Sequence, residues 1–263
     1  MWIIRHIEDL SMNAWPALQV LLYDGWVLRF ADGYTKRANS VNPLYFSTGD
    51  VEKKLRSCER YYQSRGLDVV FKMTALAQPE NLDAILVERG YRLDSLTSVQ
   101  TLDLTKVEGG SIQNSTVSET LSEDWLADCC RLSRLDERRR STLQRMLSNL
   151  VPQPSFASLR QDGHVIACGM GIAQDGYVGL FDIVADANFR RQGFGKQLVL
   201  NLLAWGKRNG AHTAYLQVML NNEPALRLYS GLGFKEIYTY WYRIKQKSEI
   251  KTCQNELTSD PSL

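Results

Sequence analysis

The sequence predicts an α/β (α+β) chain on a mixed, mostly antiparallel sheet with helices on both faces and one parallel strand pair, the whole arrangement occurring twice. Three observations lead there. A strand-like run at 177–184, a helical pattern within 189–210 and a second strand-like run at 213–219 form a strand–helix–strand unit, which implies a parallel pair with a right-handed crossover. Asp162-Gly163 and Asp175-Gly176 separate three strands within 156–186, as hairpin turns do. The chain also echoes itself at a spacing of 143 to 144 residues.

That echo fixes the expected organisation. ADGYTKRANSV at 31–41 lies against QDGYVGLFDIV at 174–184, CERYYQSRGLDVVFKMT at 58–74 against LLAWGKRNGAHTAYLQV at 202–218, and ILVERGYRL at 85–93 against LYSGLGFKE at 228–236. Each half then reads as a strand after an Asp-Gly turn, a helix ending near Gly66 or Gly210, a strand, a short helix, and a strand after Gly90 or Gly233. KVEGGSIQNS, broken by Gly109 and Gly110, reads as a linker, which gives units at 1–105 and 116–245 with 106–115 between them. From 246 to 263 the chain lacks an apolar period and reads as a polar tail.

In the second unit a strand near 115–121 precedes a helix start at Ser122-Glu123-Asp124, where the Ser122 hydroxyl can cap exposed amides. Two helical segments run to about 150, before Pro152 and Pro154. The helix within 189–210 carries Phe194, Leu198, Leu202 and Trp205 on one apolar face.

Composition narrows the function. The 263 residues hold 31 basic and 29 acidic side chains, and a formal charge of +2 is too small to draw the whole molecule to nucleic acid or an acidic membrane. No apolar run approaches the roughly 20 residues that cross a bilayer. MWIIRHIEDLSMNAWP has no signal-peptide pattern, so a cytoplasmic location is expected. Cys58, Cys129, Cys130, Cys168 and Cys253 show no CxxC spacing and read as reduced thiols. His6, His164 and His212 form no cluster with carboxylates, so no metal is expected.

The turn FRRQGFGK stands where a strand's carboxyl end feeds a helix amino end. Unsatisfied backbone N–H groups and the positive end of the helix dipole meet there, a ready site for an anion. Gly193 and Gly195 keep the backbone approachable, and arginines supply forked donors. The dinucleotide fingerprint fails because Leu198 stands in place of its third glycine, and the Walker pattern fails at Arg190 and Gln197. A plain turn of the chain is the other reading.

Arg190-Arg-Gln-Gly-Phe-Gly195 resembles the R/Q-x-x-G-x-G/A motif of the GNAT N-acetyltransferase superfamily, and Asn222-Glu-Pro-Ala-Leu-Arg-Leu-Tyr-Ser-Gly-Leu-Gly-Phe234 resembles its N-x-x-A-x-x-L-Y-x-x-x-G-F element. The resemblance covers about 115–245, while the first half matches in element order alone. It implies the acyl-CoA N-acyltransferase fold with a splayed parallel pair, and transfer of an acetyl group from acetyl-CoA to a primary amine by direct attack. It also implies roles: Arg190, Arg191, Gln192, Gly193, Phe194, Gly195 and Lys196 around the pyrophosphate, Ile183 and Val184 along the pantetheine arm, Asn222 at the pantetheine or its pyrophosphate end, and Tyr229 as acid to the thioester sulfur.

Asp182 shares a strand face with Leu180 and Val184 and is the candidate base, directly or through water, with a structural hydrogen bond as its alternative. Tyr229 could equally be a core aromatic among Leu226, Leu228 and Leu232. The first half reads as a degenerate copy: FSTGDV keeps one glycine, places Asp50 where phosphate would stand, and Leu86 replaces Tyr229. Lys36, Arg37, Asn39 and Ser40, preceded by Trp26 and Arg29, could bind an acceptor carboxylate or form a solvated edge. Arg134, Arg138, Arg139 and Arg140 could favour an acidic acceptor or form a solvated helix face. The expected partners are a small-molecule or peptide amine, with no nucleic acid and no membrane, in a monomer or homodimer. A non-catalytic acyl-CoA sensor that presents a protein-binding surface is the alternative function.

Overall fold

Asp-Gly pairs turn the chain at both ends of the molecule. Asp24-Gly25, Asp162-Gly163 and Asp175-Gly176 each hold both residues at positive φ (+43 and +79, +50 and +81, +50 and +78), the backbone that lets a two-residue hairpin follow the twist of its strands. The computed structural model describes residues 2–106, 115–189 and 191–250. Most of the expected linker, and the last thirteen residues, therefore lie outside the described residues.

The first half contains α1 (Trp2–Ala14), β1 (Gln19–Tyr23), β2 (Trp26–Phe30), β3 (Val41–Asn42), α2 (Val51–Gln63), β4 (Val69–Met73), α3 (Leu82–Glu88) and β5 (Arg92–Asp103). The second contains β6 (Ser115–Ser118), α4 (Glu123–Ser133), α5 (Glu137–Leu147), β7 (Gln153–Gln161), β8 (His164–Gln174), β9 (Tyr177–Ala185), α6 (Phe194–Arg208), β10 (Thr213–Met219), α7 (Glu223–Gly231) and β11 (Lys235–Lys245). The internal echo has a backbone counterpart. Gly66 and Gly210 follow α2 and α6, Gly90 and Gly233 follow α3 and α7, and all four sit at positive φ, where a side chain would be strained.

The eleven strands form one sheet in the order β1-β2-β3-β4-β11-β5-β10-β9-β8-β7-β6. Among the described residues the parallel neighbours are β3 with β4 and β9 with β10; the other pairs are antiparallel. The halves exchange their last strands. β11 pairs with β4 and β5, and β5 pairs with β11 and β10, so each half's final strand stands beside the other half's central strand.

One segment departs from expectation. Residues 31–41 form a 3-10 turn at Lys36–Ala38 and the two-residue β3 in place of a full strand. Asn39 is the cause: its side-chain oxygen accepts from the N–H of Ala31 (2.7 Å) and Gly33 (2.9 Å), and its amide donates to the Thr35 carbonyl (2.9 Å). These local bonds replace a sheet ladder.

Helix α6 packs as its apolar face predicts, with Leu198 and Leu202 fully buried and Trp205 nearly so. Gly206 lets it approach β9, since a Cβ there would lie 2.7 Å from Val178. Helix α1 covers the seam between halves, where Ile7, Leu10 and Ala14 join Cys129, Phe181 and Tyr215 in one core. It also buries Glu8 completely. That carboxylate accepts from Lys72 Nζ on β4 and from Tyr238 Oη on β11 at 2.7 Å, and the ammonium lies 4.0 Å from the centre of the Tyr240 ring. A buried ion pair holds only when such extra partners satisfy it. At the far end, the chain after β11 returns to the first half: Ile250 is 8% exposed and packs in its core.

Candidate active site

The parallel ladder of β9 and β10 stops early. Pairing ends at Leu180 opposite Leu216, although β9 runs on to Ala185 and β10 to Met219. On its other side β9 bulges against β8 across Phe181 to Val184, and Asp182 takes a φ of +48° there. Bulges re-aim side chains beside functional sites. Gly169 faces this bulge because a Cβ would meet the Ile183 side chain at 2.5 Å.

The strands part over a cleft of about 350 Å³ that brings together Asp182, Ile183, Asn222 and Tyr229. Thr35, Lys36 and Arg37 from the first half form another part of its wall, with Tyr240 and Tyr242 of β11. A larger groove of about 820 Å³ lies elsewhere, under β1 and residues 149–152, and contains none of the proposed catalytic groups.

After β9 the chain enters α6 at Phe194, capped by Gly193 in the left-handed region at φ +87°. A Cβ on Gly193 would meet nothing within 4 Å, so the glycine serves the backbone angle and leaves the turn open. The first helical bond runs from Gln197 N to Gly193 O at 2.9 Å; the N–H groups of Phe194, Gly195 and Lys196 thus precede the helical ladder. Arg191 also has positive φ, at +61°. Arg191, Gln192 and Lys196 are exposed, Phe194 and Gly195 half-buried. Arg190 lies outside the described residues.

The corresponding helix in the first half, α2, is already satisfied. Asp50 accepts from Glu52 N (2.8 Å) and Lys53 N (3.3 Å). Asp24 accepts from Gly49 N (2.8 Å), Thr48 N (3.2 Å), the Ser47 hydroxyl (2.9 Å) and Lys54 Nζ (3.1 Å). The amide and cation donors that would hold phosphate hold the chain's own carboxylates.

Tyr229, on α7, is 8% exposed and meets Phe234 edge-on with ring centres 5.8 Å apart. Burial pushes its phenol up to about 12. Asp182 is half-buried; burial raises its carboxyl above the usual range, while Arg37 opposes the rise. The Arg37 guanidinium stands 3.7 Å from it and lies 5.0 Å from the Trp15 ring centre and 5.7 Å from that of Phe181. Asn222 caps α7 by accepting from Ala225 N at 3.3 Å. Val184 packs on the core beside Ile183's strand end and is not part of the cleft wall.

The other donors of the first half divide into two sets. Lys36 donates to Asp94 and to Ser95 (2.6 Å) at the cleft. Arg29 is 3% exposed and donates to the carbonyls of Arg37 (2.6 Å), Met12 (3.0 Å) and Trp15, which braces the Arg37 loop from below. Trp26, Asn39 and Ser40 are buried within the fold. Of the arginines near α5, Arg138 and Arg139 border a polar cavity of about 410 Å³ that shares Thr35 and Lys36 with the cleft. Arg140 instead pairs with Glu123 at 2.9 Å, and Arg134 closes α4 with a left-handed backbone. Tyr240 and Tyr242 carry no motif, and their place in the wall follows from the strand exchange.

Among the described residues no group of three His, Cys, Asp or Glu side chains could hold a metal, and no helix is long and apolar enough to cross a membrane. Cys58, Cys129, Cys130 and Cys168 are buried free thiols.

The family described as "Probable histone acetyltransferase Rv0428c C-terminal" matches residues 3–243. The chain is 32% identical over 248 residues to the uncharacterized N-acetyltransferase YobR of Bacillus subtilis (strain 168), covering 92% of this chain and 99% of that protein. A shorter stretch of 57 residues is 39% identical to the [Ribosomal protein bS18]-alanine N-acetyltransferase of Escherichia coli (strain K12), 22% of this chain and 38% of that one. Among solved structures, a GCN5-related N-acetyltransferase from Kribbella flavida superposes with a TM-score of 0.64 at 16% identity, over 90% of this chain and 95% of that one. A tandem GNAT protein from the clavulanic acid biosynthesis pathway gives 0.62 at 10% identity, over 93% and 89%.

Proposed function

The chain belongs to the Rv0428c C-terminal acetyltransferase family, and so to the GNAT superfamily of acyltransferases, and from that premise we propose that it moves the acetyl group of acetyl-CoA to a primary amine. The observation that carries this reading is the parting of β9 and β10 over one cleft that contains Asp182 and Tyr229, with the glycine-capped α6 as the next helix after β9 in the chain.

The pyrophosphate is assigned to the open amides between Arg191 and Lys196, with Arg190 and Arg191 adding charge. The pantetheine arm is assigned to the backbone of Ile183 and Val184, which β10 leaves unpaired. Asn222, committed to its own helix, borders that arm through the cleft wall and gives it little else. Residues 116–245 thus carry the acyl donor, and the first half completes the acceptor side through Thr35, Lys36 and Arg37.

An alkylammonium has a pKa near 10.4 and cannot attack until it loses a proton. Asp182 is the base: burial makes its carboxylate a stronger proton acceptor than a surface aspartate, and Arg37 keeps it ionised. The amine nitrogen then bonds to the thioester carbonyl carbon, the C–S bond breaks as sulfur leaves with the electron pair, and the nitrogen releases its second proton to solvent as the amide forms. Tyr229 hydrogen-bonds to that sulfur. With its phenol near 12 and a thiol near 8.5, full transfer runs uphill by between three and four powers of ten, so Tyr229 stabilises the leaving thiolate as a donor before solvent supplies the proton.

Titration calorimetry with acetyl-CoA, beside NAD, ATP and a Gly193→Glu variant, tests the donor half of the reading. Saturable binding of the coenzyme alone, lost in the variant, is the expected result. Release of CoA thiol over a panel of primary amines tests the transfer.

A further inference from the structure

The two edges of the sheet differ. β6 ends it on one side with Ser-Thr-Val-Ser, a short polar strand. β1 ends it on the other with Gln-Val-Leu-Leu-Tyr, which carries no charge and no proline and keeps an unbroken register with β2. Val20 and Leu22 are 56% and 76% exposed. Folded proteins usually blunt such an edge with a charge, a proline or a bulge, because its unpaired backbone groups are a template for another strand. Among the described residues no strand pairs with the outer side of β1.

The backbone groups on that outer side belong to Val20 and Leu22. The two-residue turn at Asp24-Gly25 makes Tyr23 and Trp26 a hydrogen-bonded pair, and such pairs alternate along an antiparallel ladder. Leu21 with Leu28 is the next bonded pair, so Val20 and Leu22 turn their N–H and C=O groups outward. Arg29 bears this out from β2: it stands opposite Val20 and donates its N–H away from β1, to the Ser40 carbonyl at 3.1 Å. The side chains of Val20 and Leu22 share one face of the strand and line the groove of about 820 Å³. Met12, Pro16, Ala17 and the almost fully exposed Val151 form other parts of its wall.

The occupant that fits is an extended strand, uncharged and apolar at alternate positions, and β1 itself meets that description. We propose that β1 pairs with β1 of a second copy of this chain, about a two-fold axis through Leu21. Antiparallel pairing about that residue sets Val20 of each copy opposite Leu22 of the other. These are the residues whose backbone groups face outward, so both pairs exchange their two hydrogen bonds across the axis. The same pairing gathers Val20 and Leu22 of both copies on the groove face. An uncharged strand meets no like-charge repulsion from its own copy. Strands of this length and their apolar neighbours together lose roughly 1,000 Å² of surface, the lower limit for a specific interface, so the dimer should be weak, with a Kd in the micromolar range.

Sedimentation velocity of the full chain from about 1 to about 200 µM tests the pairing, and wild type should pass from monomer to dimer over that range. Val20→Lys/Leu22→Lys should weaken the dimer by about a hundredfold or more, because the introduced lysines face one another across the axis, and so should Val20→Glu/Leu22→Glu. An equal mixture of the two variants should dimerise again, within about tenfold of wild type, since each lysine then meets a glutamate. Both positions are exposed, so the variants should keep the wild-type Tm. Leu22→Lys alone, at the more exposed position, should also weaken the dimer and stands in if a double variant loses Tm.

A wild type that stays monomeric at about 200 µM would overturn the proposal. Protection of the Val20 and Leu22 amides from hydrogen exchange in that monomer would assign the edge to another part of the same chain, and free exchange would leave it to a different protein. A dimer that survives the lysine and glutamate variants would place the interface elsewhere. Variants that stay apart on mixing would remove this register.

Discussion

Arg37 of the first half places its guanidinium 3.7 Å from the carboxylate of Asp182, at the bulge of β9 in the second half. The two charges sit in a shared wall with Tyr240 and Tyr242, and Arg37 is the cation that opposes the effect of burial on Asp182. Removing it leaves burial unopposed, so the Asp182 pKa rises. In Arg37→Met the acid limb of the kcat/KM profile should move to higher pH, by on the order of one unit for the loss of one nearby opposite charge. Arg37→Lys should restore most of the wild-type limb. Steady-state rates from pH 5 to 9 decide it, and an unmoved limb would separate Asp182 from the rate.

Tyr229→Phe keeps the ring against Phe234 and removes only the donor. Turnover should fall by about tenfold to a hundredfold, the worth of one hydrogen bond to a charged group, while the calorimetric affinity for acetyl-CoA stays within a factor of about three. Equal loss of both would mark Tyr229 as packing.

The Glu8–Lys72 pair is fully enclosed. Lys72→Met strips the cation from a buried carboxylate that retains only the Tyr238 hydroxyl. The expected cost is about 3–5 kcal/mol, and a Glu8→Gln/Lys72→Met double variant should recover part of it. Denaturant midpoints for the two variants and wild type provide the comparison.

The Gly49 amide, first, and then Lys54 hold the Asp24 carboxyl well below the usual carboxylate range. A folded pKa depressed below the unfolded one means that the stabilisation is fully present above about pH 4, the ordinary Asp value, and is lost as pH falls further. Asp24→Asn should therefore be less stable than wild type by a constant margin from pH 5 to 8, with the margin shrinking below about pH 4. Melting curves across that range test the sign.

The strand–helix–strand unit, the hairpin turns and the glycine-led helix were legible because each is a local pattern of turn residues and apolar spacing. Asp24-Gly25, between QVLLY and WVLRF, carries the same signal as the turns that were read, and α1 shows its Ile3, Ile7 and Leu10 spacing just as openly. The loop at 31–41 was not legible, since a strand-like composition is overruled by three hydrogen bonds from the single side chain of Asn39. Nor was the place of Tyr242. Its neighbours Lys36, Asp94 and Lys72 are set by which strand lies beside β11, and an apolar period records that a strand is buried without recording its partner.

The exchange of β5 and β11 has a consequence for how the molecule is made. A ribosome delivers the chain from its amino terminus, so when β4 and β5 emerge, the strand that belongs between them is still more than a hundred codons away. Until Lys235–Lys245 is released, the first half waits with a gap in its sheet and the second lacks a finished wall for its cleft. The last strand is thus a completion signal: a messenger cut short before it yields a protein with two open edges and no assembled catalytic centre.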